Sequence, residues 1–278
     1  MLKRLLALLL LLPGSAMAVD GVREINQACA LAGCFPGDAP GFPVQIEEPG
    51  SYVLTGSLDV GGSANASGIV VDSGTDGAVT IDLNGFSISG PVSCTGSPVT
   101  SCSPSGGVGV GVEAPFSSST HVTVRNGAIR GMGINAVSCG SDCAVLDLVV
   151  EQNGGEGIAH ANGTGTFRRI VTRRNGGDGM FVKGTIEDVI AENNGGRGIF
   201  GNPYSRITGI ESNNNAGNGV RCFSCSLLDS VIEGNGGVGV QFGGRSVYGR
   251  NLIDDNTGGE TSGSAIQVDV NRCGVSAC

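Results

Sequence analysis

The sequence predicts an all-β solenoid, a stack of about ten or eleven coils of short parallel strands. Three observations predict it. A motif recurs, reading VVEQNGGEGI from Val149, then VTRRNGGDGM, IAENNGGRGI, IESNNNAGNGV and VIEGNGGVGV, with a weaker NLIDDNTGG behind them. Its asparagines fall at Asn153, Asn175, Asn194, Asn214 or Asn215, Asn235 and Asn256, 19 to 22 residues apart. Valine, isoleucine and threonine surround each asparagine, and glycine recurs at Gly157, Gly179, Gly198, Gly219 and Gly239, a composition that disfavours helix and favours strand. The chain holds 50 glycines in 278 residues with no triplet period and 40% hydrophobic residues, so glycine serves turns rather than collagen or a disordered tail.

A period of about twenty residues is too short for a pair of packed helices or a four-stranded propeller blade. One coil per repeat remains, with equivalent residues stacked about 4.8 Å apart. Stacked asparagines can then hydrogen-bond along a column as an amide ladder and can occupy left-handed backbone. The glycines supply positive φ and close backbone approach.

From the N-terminus, Lys3 and Arg4 precede the apolar run Leu5 to Leu12, and Ala16-Met17-Ala18 is a small-x-small site. Residues 1–18 therefore read as a signal peptide cleaved after Ala18, which places the protein in the periplasm or outside the cell. Residues 19–50 read as a cap and connector, with a short helix over Val22 to Leu31 covering the first coil. Residues 51–270 read as the solenoid, with strands at Tyr52 to Leu54, Ile69 to Val71, Val79 to Leu83, Val108 to Val112 and His121 to Val124. Gly90 to Gly107 reads as a Ser/Pro/Thr-rich surface loop leaving the rod. Residues 271–278 read as a pinned tail. No apolar stretch is long enough to span a bilayer.

Ten cysteines form five close pairs, Cys29 with Cys34, Cys94 with Cys102, Cys139 with Cys143, Cys222 with Cys225, and Cys273 with Cys278. Behind a signal peptide an even count implies disulfides, and nearest-neighbour pairing is the economical assignment. The formal charge is −9, and loss of Lys3 and Arg4 leaves 14 basic against 25 acidic residues. Such a balance disfavours nucleic acid as a partner, and disfavours polyanionic polysaccharide unless basic residues cluster.

The asparagine-glycine turn followed by Gly-apolar, with Val79-Thr80-Ile81-Asp82-Leu83-Asn84-Gly85-Phe86-Ser87-Ile88 as an early coil, resembles the right-handed parallel β-helix repeat of the pectate-lyase-like superfamily over residues 50 to 270. The resemblance implies a single-stranded right-handed parallel β-helix. It implies no one activity, since the superfamily holds lyases, hydrolases, epimerases, esterases, adhesins and tailspikes. The NTD, DD and GHG set of polygalacturonase-like enzymes is missing apart from Asp254-Asp255, and so is the Asp-Pro-His element of alginate-epimerase-like ones.

The chemistry the repeat offers lies in charged columns. One reads Glu151, Arg173, Glu192, Ser212, Glu233, and another Asp147, Arg169, Asp188, Thr208, Asp229. Opposite charges in adjacent coils can pair on a solvated face. The same spacing puts Glu151 and Glu192 two coils, about 9 to 10 Å, apart with Arg173 between, near the separation of an inverting glycosidase pair. Glu151, Arg173 and Glu192 are thus the candidate catalytic set, with Asp147, Arg169, Asp188 and Arg197 as candidate substrate contacts. Tyr204, Tyr248, Phe200, Phe223 and Phe242 are the aromatics of the regular coils that could stack on a sugar. His121 and His160 lie in different coils and read as ordinary surface or strand histidines. No motif implies a cofactor or metal; calcium is the one cation that surface carboxylates such as Asp254, Asp255 and Glu260 could hold. The reading favours a surface or matrix rod contacting polysaccharide or envelope material, with a polysaccharide lyase or hydrolase as the alternative.

Overall fold

The computed structural model describes residues 21–114, 120–140, 142–160 and 163–278; the expected signal peptide lies outside them. The chain is a right-handed parallel β-helix of about eleven turns. An 18-stranded and a 10-stranded sheet run its length, and every coil-to-coil pairing in them is parallel apart from the last hairpin.

The long sheet is folded lengthwise. Cys143–Glu151, Gly165–Arg173 and Gly184–Glu192 carry Asp147, Arg169 and Asp188 at their midpoints, each with φ 53°. One left-handed residue turns the strand without ending it. Each coil therefore has three faces. Face 1 precedes that bend (143–146, 165–168, 184–187), and face 2 follows it (148–151, 170–173, 189–192). Face 3 is the ten-stranded sheet, with Ile158–His160, Met180–Val182 and Ile199–Gly201. Corner 1 is the bend, corner 2 the asparagine-glycine turn, and corner 3 the connection from face 3 back to face 1. From residue 206 the bend ends the strand, giving Arg206–Thr208 and Glu211–Asn213 about Gly209.

Inward positions form one core from Ile25 to Ile253. The adjacent apolar pairs resolve cleanly: Val150, Thr172 and Ala191 point in, while Val149, Val171 and Ile190 point out with Glu151, Arg173 and Glu192. Inside corner 2, Asn153, Asn175, Asn194, Asn215, Asn235 and Asn256 form a ladder of side-chain amide bonds of 2.8 to 3.0 Å. They do not adopt the left-handed backbone expected of them. The preceding residue does so instead, at Gln152, Arg174, Asn193, Asn214, Gly234 and Asp255. The recurring glycines likewise lack positive φ, and close approach alone explains them: a Cβ on Gly198 would lie 2.0 Å from Ser212 Oγ.

Three further expectations change. The N-terminal helix is shorter, Gln27–Ala32, because Arg23–Ile25 is a strand pairing with Tyr52–Leu54. Asn26 stops the strand and caps the helix, accepting from the Cys29 amide at 3.0 Å. The strand expected at Val108 to Val112 is Val112–Ala114, displaced by the glycines that pack against Ala64 and Ala66. The Ser/Pro/Thr-rich segment does not leave the rod. Ser93–Gly96 and Val99–Ser103 form an antiparallel hairpin that folds back on corner 2, where the Val99 amide donates to the Asn193 carbonyl at 3.2 Å. Val92, Cys94 and Val99 bury themselves there, and the corner is lined by Gly133, Gly154, Gly176 and Gly195, which have no side chains to hold the hairpin off.

All five disulfides join nearest neighbours. No helix among the described residues is long and apolar enough to cross a membrane.

Candidate functional site

Registered pairing decides which charges are neighbours. On face 2 the column reads Arg130, Glu151, Arg173, Glu192, Asn213, Glu233, Asp254. Asn213 replaces the expected Ser212, which is buried one position earlier. At corner 1, Gly209 replaces the expected Thr208, which pairs with Glu187 on face 1. Both slips come from the coil at 206–213, where the continuous strand breaks in two.

All three candidate arginines are engaged by the protein. Arg173 contacts Glu151 at 2.9 Å, and Arg197 contacts Asp178 at 2.9 Å. Arg169 grips Asp147 with two bonds, of 2.5 and 2.7 Å. Arg250 repeats that grip on Asp229 and adds Asp269. Hydrogen bonding from Arg169 holds the Asp147 carboxyl below the usual carboxylate range, and Arg250 does the same to Asp229. Asp188, the third corner-1 candidate, makes no ion pair among the described residues.

Glu151 and Glu192 sit two coils apart with Arg173 between them, and with Arg174 and Asn193 they line a hollow of about 300 Å³. One wall is fixed, since the Ser97 hydroxyl of the hairpin donates to Asn193 Oδ1 at 2.6 Å. Chemically the hollow offers two carboxylates two coils apart. Arg173, which would neutralise a substrate charge, is instead hydrogen-bonded to Glu151 at 2.9 Å.

The other named candidates do not converge. His160 is buried edge-on to Phe167, and His121 is exposed on face 1. Glu260 accepts from Asn256 at 2.7 Å, ending the asparagine ladder, and Asp254 accepts from the Asp255 amide. Among the described residues no three His, Cys, Asp or Glu side chains gather as a metal site.

A second surface lies on face 3 and corner 3. Phe181 and Phe200 point outward on adjacent strands, edge to face at 4.8 Å. The guanidinium carbons of Arg197 and Arg221 lie 4.5 and 4.6 Å from the Phe200 ring centroid. Tyr204, 81% exposed, stands at corner 3 of the Phe200 coil, and Phe223, 43% exposed, ends the face 3 strand of the next coil. Phe242 and Tyr248 are buried, packed against each other. From residue 120 on, the exposed and half-exposed aromatics are thus Phe181, Phe200, Tyr204 and Phe223, all in three consecutive coils. Phe181 escaped sequence reasoning because Met-Phe-Val reads as a core strand whose middle side chain has no assigned direction. Its alternation with buried Met180 and Val182 was the available signal.

No protein-family model and no curated protein matches the chain. Among solved structures it is similar to the A-module of a mannuronan C-5 epimerase from Azotobacter vinelandii, at 17% identity over 84% of this chain and 75% of that one, with TM-score 0.47. It is similar to a double mutant of a periplasmic alginate epimerase, at 11% identity over 91% and 84%, with TM-score 0.49. It is also similar to the Dettilon tailspike protein, at 12% identity over 87% and 57%, with TM-score 0.43.

Proposed function

We propose that this protein is a non-catalytic rod that binds polysaccharide, working in an oxidising compartment outside the cytoplasm. The observation that carries the reading is the gathering of Phe181, Phe200, Tyr204 and Phe223 on one side of three neighbouring coils. Exposed aromatic rings lose favourable burial and are kept where they contact something. Flat rings spaced by a regular rise suit an extended polymer better than a small ligand in a closed pocket. Five disulfides support the compartment.

The test is incubation of the purified protein with a panel of polysaccharides, with and without calcium, reading both retention of protein on each polymer and the masses of soluble products. Retention without new oligosaccharides is expected. Tyr204→Ala together with Phe200→Ala should weaken retention about tenfold or more, since each aromatic contact contributes on the order of 1 kcal/mol. Products lighter by one water would make the protein a lyase, and products of intact mass a hydrolase.

That second reading has its own observation, the hollow between Glu151 and Glu192. Under it Arg173→Ala abolishes turnover. Under the binding reading the same change leaves retention unaltered and costs below about 1 kcal/mol of stability, because a half-exposed ion pair contributes little.

A further inference from the structure

The chain is acidic, with 25 acidic against 16 basic residues, but its charges are not spread evenly around the coil. Arg125, Arg169, Arg173, Arg197 and Arg250 each pair with a carboxylate of an adjacent coil. Lys183, Arg206, Arg221 and Arg245 make no ion pair among the described residues. These four run along corner 3 and its borders through four consecutive coils. Lys183 is the whole corner between Met180–Val182 and Gly184–Glu192. Arg206 opens Arg206–Thr208, Arg221 lies in Val220–Phe223, and Arg245 immediately precedes Ser246–Gly249. The corner itself, at 202–205, 224–225 and 244–245, contains no aspartate or glutamate. Glu187, two residues along face 1 from the position paired with Arg206, makes no ion pair with it.

At five positions elsewhere on the rod, adjacent coils place opposite charges side by side. Here they place like charges about 5 Å apart in rise, over about 15 Å of length. Uncompensated like charges repel and destabilise the folded state, so folding alone gives no reason for the arrangement. The same strip carries the exposed aromatics. Arg221 is stacked 4.6 Å from the Phe200 centroid, which holds the guanidinium in place and leaves its donors without a protein carboxylate. A guanidinium so held suits two-pronged bonding to a carboxylate or phosphate.

Resting on the binding reading above, we infer that corner 3 is an anion-selective track: the polysaccharide it takes bears repeated negative groups, which Lys183, Arg206, Arg221 and Arg245 meet in turn while Phe200 and Tyr204 contact the sugar rings. Basic residues that could overcome the net acidity of the chain are clustered here.

The test measures affinity of the full chain for four probes: a polygalacturonate, a sulfated glucan, an uncharged glucan and a single-stranded oligonucleotide. The expected result is binding to one or both anionic glycans at least tenfold tighter than to the uncharged one, weakening steeply as salt rises. The first two probes separate carboxylate from sulfate as the recognised group. Arg221→Gln and, independently, Arg245→Gln should each lower that affinity about tenfold, and Arg168→Gln, on face 1, should not; a melting curve establishes that each variant is folded. Equal binding to charged and uncharged glucans would overturn the inference and leave the binding reading standing. No binding to any glycan would overturn both. Tighter binding to the oligonucleotide than to the anionic glycans would also overturn it.

Discussion

Asn194 shows how much a single side chain does in this fold. Its carbonyl oxygen accepts from the Asn175 amide nitrogen at 3.0 Å and from the Asn175 backbone at 3.1 Å, and its own amide donates to Asn215 at 2.9 Å. All three residues are fully buried. Asn194→Ala therefore leaves the buried Asn175 backbone amide without a partner, at about 1 to 3 kcal/mol, and removes one further bond each from Asn175 Nδ2, Asn215 Oδ1 and the Thr172 carbonyl, at about 1 kcal/mol each. The variant should lose about 3 kcal/mol or more in urea unfolding, whereas Asn256→Ala, at the end of the ladder, should lose less. Equal losses would mean that the column does not act as a chain. The corner-1 pairs behave differently because they are exposed. Folding depresses the Asp147 and Asp229 carboxyls below their unfolded values. Their contribution is thus present above the ordinary carboxylate pKa of about 3.9 and is lost as pH falls through the lower folded value. Melting temperature should drop more steeply below about pH 4 in the parent than in Asp147→Asn, and high salt should shrink the difference. The asparagine column was legible in sequence because one buried side chain per coil tolerates no drift. The exposed columns were legible only where the coil length stayed constant, and Ser212 and Thr208 were each misplaced by one residue where the strand split.

At the scale of elements, the hairpin and the glycines beneath it depend on each other. Ser93–Gly96 and Val99–Ser103 look in sequence like a polar loop, and nothing in their composition says where they rest. The information sits elsewhere, in a column of glycines from four different repeats. A Cβ on Gly176 would stand 2.4 Å from the Gly154 carbonyl and 2.9 Å from Cys102 Sγ. Gly176→Ala should cost about 1 to 3 kcal/mol and should raise hydrogen exchange across residues 93–103, read by mass spectrometry. Gly62→Ala, where nothing lies within 4 Å, should do neither. Similar exchange in the two variants would show that the hairpin does not rest on the corner. The same dependence reaches the hollow, because the hairpin's Ser97 holds Asn193 beside Glu192. Phe181 marks the other limit of sequence reading: its strand was identifiable, but the direction of its side chain depends on register with the neighbouring coils.

A whole solenoid must end, and its ends expose strand edges that invite further pairing. The first coil solves this with Gln27–Ala32, whose Ala30 is fully buried in the main core. Phe35 packs edge-on to Tyr52 at 5.3 Å, and Cys29–Cys34 fastens the segment locally. At the far end, Ser276–Ala277 turns back antiparallel on Arg272–Cys273, fastened by Cys273–Cys278, so that a reversed strand occupies the edge of face 2. Because each coil contacts only its neighbours, damage at an end should propagate inward rather than be absorbed by a distant core. Ala30→Asp places a carboxylate in that first interface, and Ala32→Asp places the same group on the exposed side of the same short helix. Burying an unpaired charge is strongly unfavourable, so the first variant should undock the cap and bare the strands at Arg23–Ile25 and Val44–Ile46. Size-exclusion chromatography should then find Ala30→Asp in concentration-dependent aggregates and Ala32→Asp as the parent species. If both elute like the parent, the first coil protects its edges without the cap, and the helix must be there for a purpose other than ending the stack.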